Sequence, residues 1–233
     1  MSRTIVIGDL HGCHDEALEL LKTLALAPSD RVIFAGDLVD RGPKPRECVE
    51  LAMQHEAVLG NHEEKHLTQQ HRPSLLLSDD HRRTREALDD KHYEYFKKLP
   101  KILRLPEHNA AVMHAGAFPE VKLEEQQTRH LLHIQSIKPP GRRSYWPSKA
   151  PSDYVFWTNF WQGPERLIFG HTVLSAPLVS QWAVGIDTGA VFGGGLTAVV
   201  LPEWKIVRIP TKNYRPDKRI GNYPVHGDIT AYS

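Results

Sequence analysis

Over the first sixty residues, short β-branched runs alternate with stretches whose apolar positions recur at helical spacing. Arg3 to Ile7 reads as a strand that stops at Gly8-Asp9. From Cys13 to Leu26, Ala17, Leu18, Leu21, Leu24 and Ala25 follow the helical period, and Asp15-Glu16 suit the positive end of that helix. Pro28-Ser29-Asp30 turns the chain into a second strand, Arg31 to Ala35, which again ends in Gly-Asp. Pro43 to Met53 predicts a helix with proline near its start, and Glu56 to Leu59 a third strand ending in Gly60-Asn61. This alternation is the pattern of right-handed βαβ units on a parallel sheet.

From His62 to Lys98 the chain is polar, rich in histidine and in both charges. Its sparse apolar residues (Leu67, Leu75 to Leu77, Leu88, Tyr93, Phe96) predict a solvated, cap-like helical excursion with no binding role of its own. Strand texture returns at Ala110 to Met113, Leu167 to Phe169, Ala183 to Ile186, Leu196 to Leu201 and Trp204 to Ile209, whereas Lys138 to Ser152 reads as a Pro-rich, basic loop. The expected fold class is α/β, a two-sheet β-sandwich flanked by helices. One domain would span residues 1–210, with a tail at 211–233.

Polar clusters punctuate the strand ends: Gly8-Asp9-Leu10-His11-Gly12, then Gly36-Asp37-Leu38-Val39-Asp40-Arg41-Gly42, then Gly60-Asn61-His62-Glu63. Ligands of open α/β sheets bind beyond the carboxyl ends of strands, so parallel pairing would gather these groups at one rim. Later strand ends add His114 and His171. Two carboxylates, one amide oxygen and three imidazoles, with no sulfur, suit Mn²⁺, Zn²⁺ or Fe²⁺ better than Ca²⁺. Six donors exceed the needs of one tetrahedral ion. They suit two ions about 3.5–4 Å apart, bridged by Asp37 from the middle strand. Arg41 offers a fork matched to two phosphate oxygens, and His62, oriented by Asp40, is the candidate general acid.

Composition narrows the field. The chain has 233 residues, 40% hydrophobic and 24% charged, which excludes disorder. No apolar run is long enough to cross a bilayer, and the first residues lack a signal-peptide layout. A net charge of +1 gives no electrostatic basis for obligate nucleic-acid binding. Cys13 and Cys48 form neither a disulfide framework nor a zinc site, so a reduced cytoplasmic setting is expected.

Three further patterns compete for attention. His62-Glu63-Glu64-Lys65-His66 matches the zinc-peptidase motif, yet His62 stands at a helix start and the other clusters would be left without a task. Gly193-Gly194-Gly195 reads as a bend between strands. Tyr145, Trp146, Trp157 and Trp161 are ordinarily packing residues, although a dinucleotide would need an aromatic shelf, for which Trp146, Trp157 or Phe118 are candidates.

In their order, GDLHG, GDLVDRG, GNHE, the histidine of His114-Ala115-Gly116 and the FGHT of Phe169 to Thr172 resemble the phosphoprotein phosphatase branch of the calcineurin-like metallophosphoesterases, from Gly8 to about Val200. The stretch Gly185 to Gly194 is similar to its bacterial and phage members, the lambda-type protein phosphatases and diadenosine tetraphosphatases. The resemblance implies one metal on Asp9, His11 and Asp37, and another on Asp37, Asn61, His114 and His171. It also implies Arg41 and Asn61 at the phosphate and His62 with Asp40 as the acid. Lambda-type enzymes carry a second phosphate-binding arginine where this chain has Asn159; either Asn159 or Arg142 and Arg143 would replace it. The expected activity is hydrolysis of phosphate esters or anhydrides by a hydroxide generated at two divalent ions, Mn in first place and Zn, Fe, Ni, Co or Mg as others. Dinucleoside polyphosphates are the favoured substrates. A serine/threonine phosphoprotein phosphatase is the alternative, and a peptidase or a non-catalytic binding module the distant ones.

Overall fold

The computed structural model describes residues 2–70 and 78–217. Leu75 to Leu77, the end of the expected tail and the Arg142 side chain lie outside the described residues. The elements run β1 (Thr4–Ile7), α1 (His14–Thr23), β2 (Arg31–Phe34), α2 (Pro45–Ala52), β3 (Glu56–Ala57), α3 (Asn61–Gln69), α4 (Asp79–Ala87), α5 (Asp90–Lys98), β4 (Ile102–Leu105) and β5 (Ala110–Met113). There follow α6 (Thr128–His133), β6 (Ser136–Lys138), β7 (Gly141–Tyr145), β8 (Val155–Phe156), β9 (Arg166–Phe169), β10 (Leu178–Val179), β11 (Ala183–Gly185), β12 (Leu196–Leu201) and β13 (Lys205–Ile209).

Two five-stranded sheets form the sandwich, in the orders β13-β12-β1-β2-β3 and β10-β11-β9-β5-β4. β1, β2 and β3 are parallel, with β2 in the middle, and β9 runs parallel to both β5 and β11. The two-residue period of a strand explains why these runs are apolar throughout: both faces are covered. Along β1, Val6 points between the sheets with Ile33, Val112, Ile168 and Val199. Its neighbours Ile5 and Ile7 point outward, where Ala17, Leu20, Cys48 and Val49 of α1 and α2 seal them. On the far side, Met113, Leu167 and Phe169 pack against Ile137, Phe156 and Trp157.

Four local expectations differ from the structure. β3 ends at Ala57 rather than Leu59, because the Leu59 N–H leaves the sheet to donate to the Pro100 carbonyl at 2.8 Å. The segment read as a basic loop contains β7, which pairs with β6 through Ser136↔Tyr145 and Ile137↔Ser144 to form a third, small sheet with β8. The excursion is not simply solvated: His66, His81 and His92 are buried within it. Residues 211–217 do not hang free, since Tyr214 donates its hydroxyl proton to Glu16 at 2.9 Å and Arg215 pairs with Asp80.

Candidate active site

The turns after β1, β2, β3, β5 and β9 meet at one rim and are tied to one another by backbone hydrogen bonds. The amides of Leu10 and His11 donate to the Asp37 carbonyl at 3.1 and 2.8 Å, and Gly170 N–H donates to the His114 carbonyl at 2.8 Å. The His171 amide reaches across from the other sheet to both Asp9 carboxylate oxygens at 3.1 Å. Such crowding excludes side chains at two positions. A Cβ on Gly170 would stand 1.9 Å from Asp9 Oδ1, and one on Gly60 would stand 2.2 Å from the Asp37 nitrogen. The turns themselves are contorted: His11, Asp37, Asp40, Arg41 and His171 all have left-handed backbones, with φ between 44° and 67°.

Asp37 is the hub of the donor set. His11, Asp37 and His62 present ligand atoms within 4.8 Å of one another, and so do Asp37, His114 and His171. Asn61 Oδ1 completes the second group, 2.9 Å from His114 Nε2 and 2.8 Å from His171 Nδ1. Backbone carbonyls select the ring nitrogens. His11 Nδ1 donates to Val39 at 2.8 Å and His114 Nδ1 to Ala35 at 2.9 Å, which leaves each Nε2 turned to the centre. Oxygen and imidazole donors sharing one carboxylate fit a pair of first-row divalent cations.

Beside this centre Asp40 gathers three imidazoles. His62 Nδ1 lies 2.5 Å from Oδ2, His66 Nε2 2.8 Å from Oδ1, and His81 Nε2 3.1 Å from Oδ2. Burial alone would raise the Asp40 carboxyl, but its imidazole partners outweigh that and hold it well below the usual range. With Nδ1 committed to Asp40, His62 turns Nε2 toward the centre, 3.8 Å from Asp37 Oδ2. Arg41 stands there too, its fork 2.5 Å from His11 Nε2 and 3.2 Å from His62 Nε2, with Phe192 under the guanidinium at 5.5 Å.

The peptidase geometry does not assemble. His62 and His66 both face Asp40, while Glu63 between them is fully buried and points away. It accepts N–H groups from Asp37, Leu38 and Gly60 at 2.9, 2.9 and 3.0 Å. Glu63 thus clamps the Asp37 turn to the start of α3. Burial, with Asp37 nearby, pushes its carboxyl up to about 8, against the pull of those amides.

The remaining expected residues divide. Asn159 is exposed and donates its amide to the Phe156 carbonyl at 2.9 Å, a local turn contact away from the centre. Arg143 is exposed on β7 and lines a cleft of 420 Å³ with Arg129, His133 and Tyr145. Trp157 and Phe118 are core residues, 0% and 4% exposed, so neither is a shelf. Trp146 is 46% exposed and its ring lies 5.8 Å from that of His171. Asp187, to which the sequence pattern assigns no role, is a buried carboxylate whose Oδ1 accepts the Gly189 amide at 2.9 Å while Oδ2 has no partner among the described residues. Its signal was present in Gly185-Ile186-Asp187-Thr188-Gly189, but only closure of that turn against the rim buries it.

Electrostatics mark the site for cations. Burial, with Asp187 and Asp37 close by, pushes Asp9 well above its ordinary range, and burial raises Asp187 to about 6. Burial disfavours charge on His114, yet Asp37 and Asp9 outweigh it and push His114 up to about 10. Near neutral pH, therefore, His114 carries a proton on a nitrogen that a cation would need. Adding Mn²⁺ to chelator-treated protein is expected to release protons, and apparent affinity to rise with pH. Titration calorimetry in two buffers of different ionisation enthalpy will measure this; equal heats in both would contradict it.

The calcineurin-like phosphoesterase family model matches residues 2–194. Curated relatives include the bis(5'-nucleosyl)-tetraphosphatase PrpE [asymmetrical] of Halalkalibacterium halodurans, 28% identical over 94% of this chain and 98% of that protein. The protein of the same name from Bacillus cereus strain Q1 is 27% identical over 88% and 93%. Among solved structures, one provisionally named a diadenosine tetraphosphatase superposes with a TM-score of 0.79 at 29% identity, covering 91% of this chain and 95% of that one. A Saccharomyces cerevisiae serine/threonine phosphatase shares the fold at a TM-score of 0.56 and 18% identity, over 91% and 80%. With these turns around one donor cluster, and a family match spanning most of its length, the chain belongs to the calcineurin-like phosphoesterases and is a metal-dependent phosphoester or phosphoanhydride hydrolase.

Proposed function

We propose that this enzyme hydrolyses dinucleoside polyphosphates, diadenosine tetraphosphate among them, at a pair of divalent cations, with Mn²⁺ in first place. Asp9, His11 and Asp37 would hold one cation, and Asp37, Asn61, His114 and His171 the other. Bound there, the ions would supply positive charge to the phosphoryl oxygens and lower the pKa of a water toward about 7. Arg41 grips the non-bridging oxygens of the phosphoryl group with its planar fork. His62, steadied by Asp40, gives its Nε2 proton to the departing oxygen as the P–O bond breaks, while the water, having lost one proton to solvent, bonds its oxygen to phosphorus. Cys13 and Cys48, both buried thiols, are compatible with a reducing, cytoplasmic setting.

The observation that carries the substrate choice is Trp146, an exposed indole beside His171 where the base of a nucleotide on the metal centre can stack. The names of the relatives support the same choice. The test compares kcat/KM for diadenosine tetraphosphate, a phosphoserine peptide and p-nitrophenyl phosphate with saturating Mn²⁺. The dinucleotide should lead, and Trp146→Ala should remove about 1–3 kcal/mol of that lead, the worth of one base–aromatic stack, while sparing the aryl phosphate. A phosphopeptide preference would overturn the reading.

A further inference from the structure

Beside the metal centre lies a basic cleft that the reaction chemistry does not use. Arg129 and His133 fall four residues apart on α6, and Arg143 and Tyr145 two apart on β7, so each pair presents one face to the same groove. The groove measures 420 Å³, within the range of small-molecule sites. The His133 ring, which lines the cleft, stands 6.0 Å from the ring of His171. The anchoring of α6 to the centre is direct, since the Ala115 amide, next to His114, donates to the Leu131 carbonyl at 2.8 Å.

Charge distinguishes this groove from ordinary surface. Most other described arginines have a carboxylate partner, among them Arg3 with Asp30, Arg31 with Glu56, Arg46 with Glu50 and Asp89, and Arg104 with Glu124 and Glu165. Arg129 and Arg143 have neither an acidic partner nor a hydrogen bond among the described residues. The carboxylate at this end is Glu64, 3.8 Å from His133 Nε2. Two unpaired guanidiniums facing one cleft offer planar forks to phosphate oxygens away from the reacting centre.

We infer that this cleft binds the phosphates beyond the bond being cut, the triphosphate portion that leaves when a dinucleoside tetraphosphate is split unequally. The inference rests on the substrate reading above and assigns Arg129 and Arg143 the selection of long polyphosphates over monoesters. Neither arginine belongs to the donor groups around Asp37, and both are exposed, so their loss leaves folding intact.

The experiment uses the Mn²⁺-loaded full chain with Arg129→Ala, Arg143→Ala and the double substitution. Each change is expected to lower kcat/KM for diadenosine tetraphosphate by about tenfold, and the pair by about a hundredfold, as for charge-assisted phosphate contacts. The value for p-nitrophenyl phosphate should stay within about twofold. As inhibitors of aryl phosphate hydrolysis, ATP should weaken in parallel with the dinucleotide loss while inorganic phosphate keeps its inhibition constant. A parallel fall for dinucleotide and aryl phosphate would place the arginines at the reacting group, and unchanged values for all would reduce them to surface charge; either overturns the cleft. A selective loss with a phosphopeptide instead would make the groove a peptide site and overturn it as well. Should the wild type show no dinucleotide preference, the substrate reading fails by itself, and the ratio of ATP to phosphate inhibition still decides the cleft.

Discussion

Asp37→Asn is expected to eliminate turnover of every phosphorylated substrate, with a fall of at least about 10³-fold, since several kcal/mol of charge stabilisation are at stake and each 1.36 kcal/mol is tenfold. The reason is positional. Asp37 is the one residue common to both donor groups around the centre, and its Oδ1 also accepts the His62 amide at 3.0 Å. An amide in its place is neutral and keeps a single accepting oxygen, so it cannot neutralise two cations at once. Metal analysis should find the variant short of its full complement, while circular dichroism shows the fold retained. A folded variant with wild-type activity toward p-nitrophenyl phosphate would remove Asp37 from its bridging position.

Toward an alkyl phosphate, His62→Asn should lower kcat by about 10²–10⁴-fold and leave metal content unchanged, the signature of a lost proton donor. Geometry makes the separation clean, because His62 is fastened to Asp40 at 2.5 Å and its Nε2 faces the centre. The loss should grow with the basicity of the leaving oxygen: small for p-nitrophenolate or a departing polyphosphate, which leave as stable anions, and large for an alkyl phosphate. Rates across a series of leaving groups will measure that slope. A loss of equal size for all of them would mean that His62 acts on binding rather than on proton transfer.

Much of this arrangement was readable in advance, for local reasons. β1, β2, β5 and β9 are apolar runs cut off by glycine or a polar residue, and that punctuation needs no knowledge of partners. Parallel order then brings Asp9, His11, Asp37, Asn61, His114 and His171 to one rim. What escaped depends on distant contacts. Arg142 to Tyr145 carries no apolar alternation, and β7 exists because Ile137, buried on the neighbouring strand, pairs with Ser144. His66 and His81 look like solvated helix residues until Asp40, 26 and 41 positions earlier, comes to lie between them. Trp146 and Trp157 are the same residue type eleven positions apart; one faces solvent and the other is packed against Phe169 at 5.0 Å. Composition does not separate them.

The left-handed turns at His11, Asp37, Asp40, Arg41 and His171 set robustness against purpose. Each such backbone in a residue bearing a Cβ costs roughly 1–2 kcal/mol, a penalty that glycine escapes. Breeding this protein for heat tolerance with no assay of hydrolysis would therefore reward glycine at these five places and yield hardy, inert descendants. A thermostabilisation campaign on this scaffold should hold them invariant and look for its gains in the outer helices.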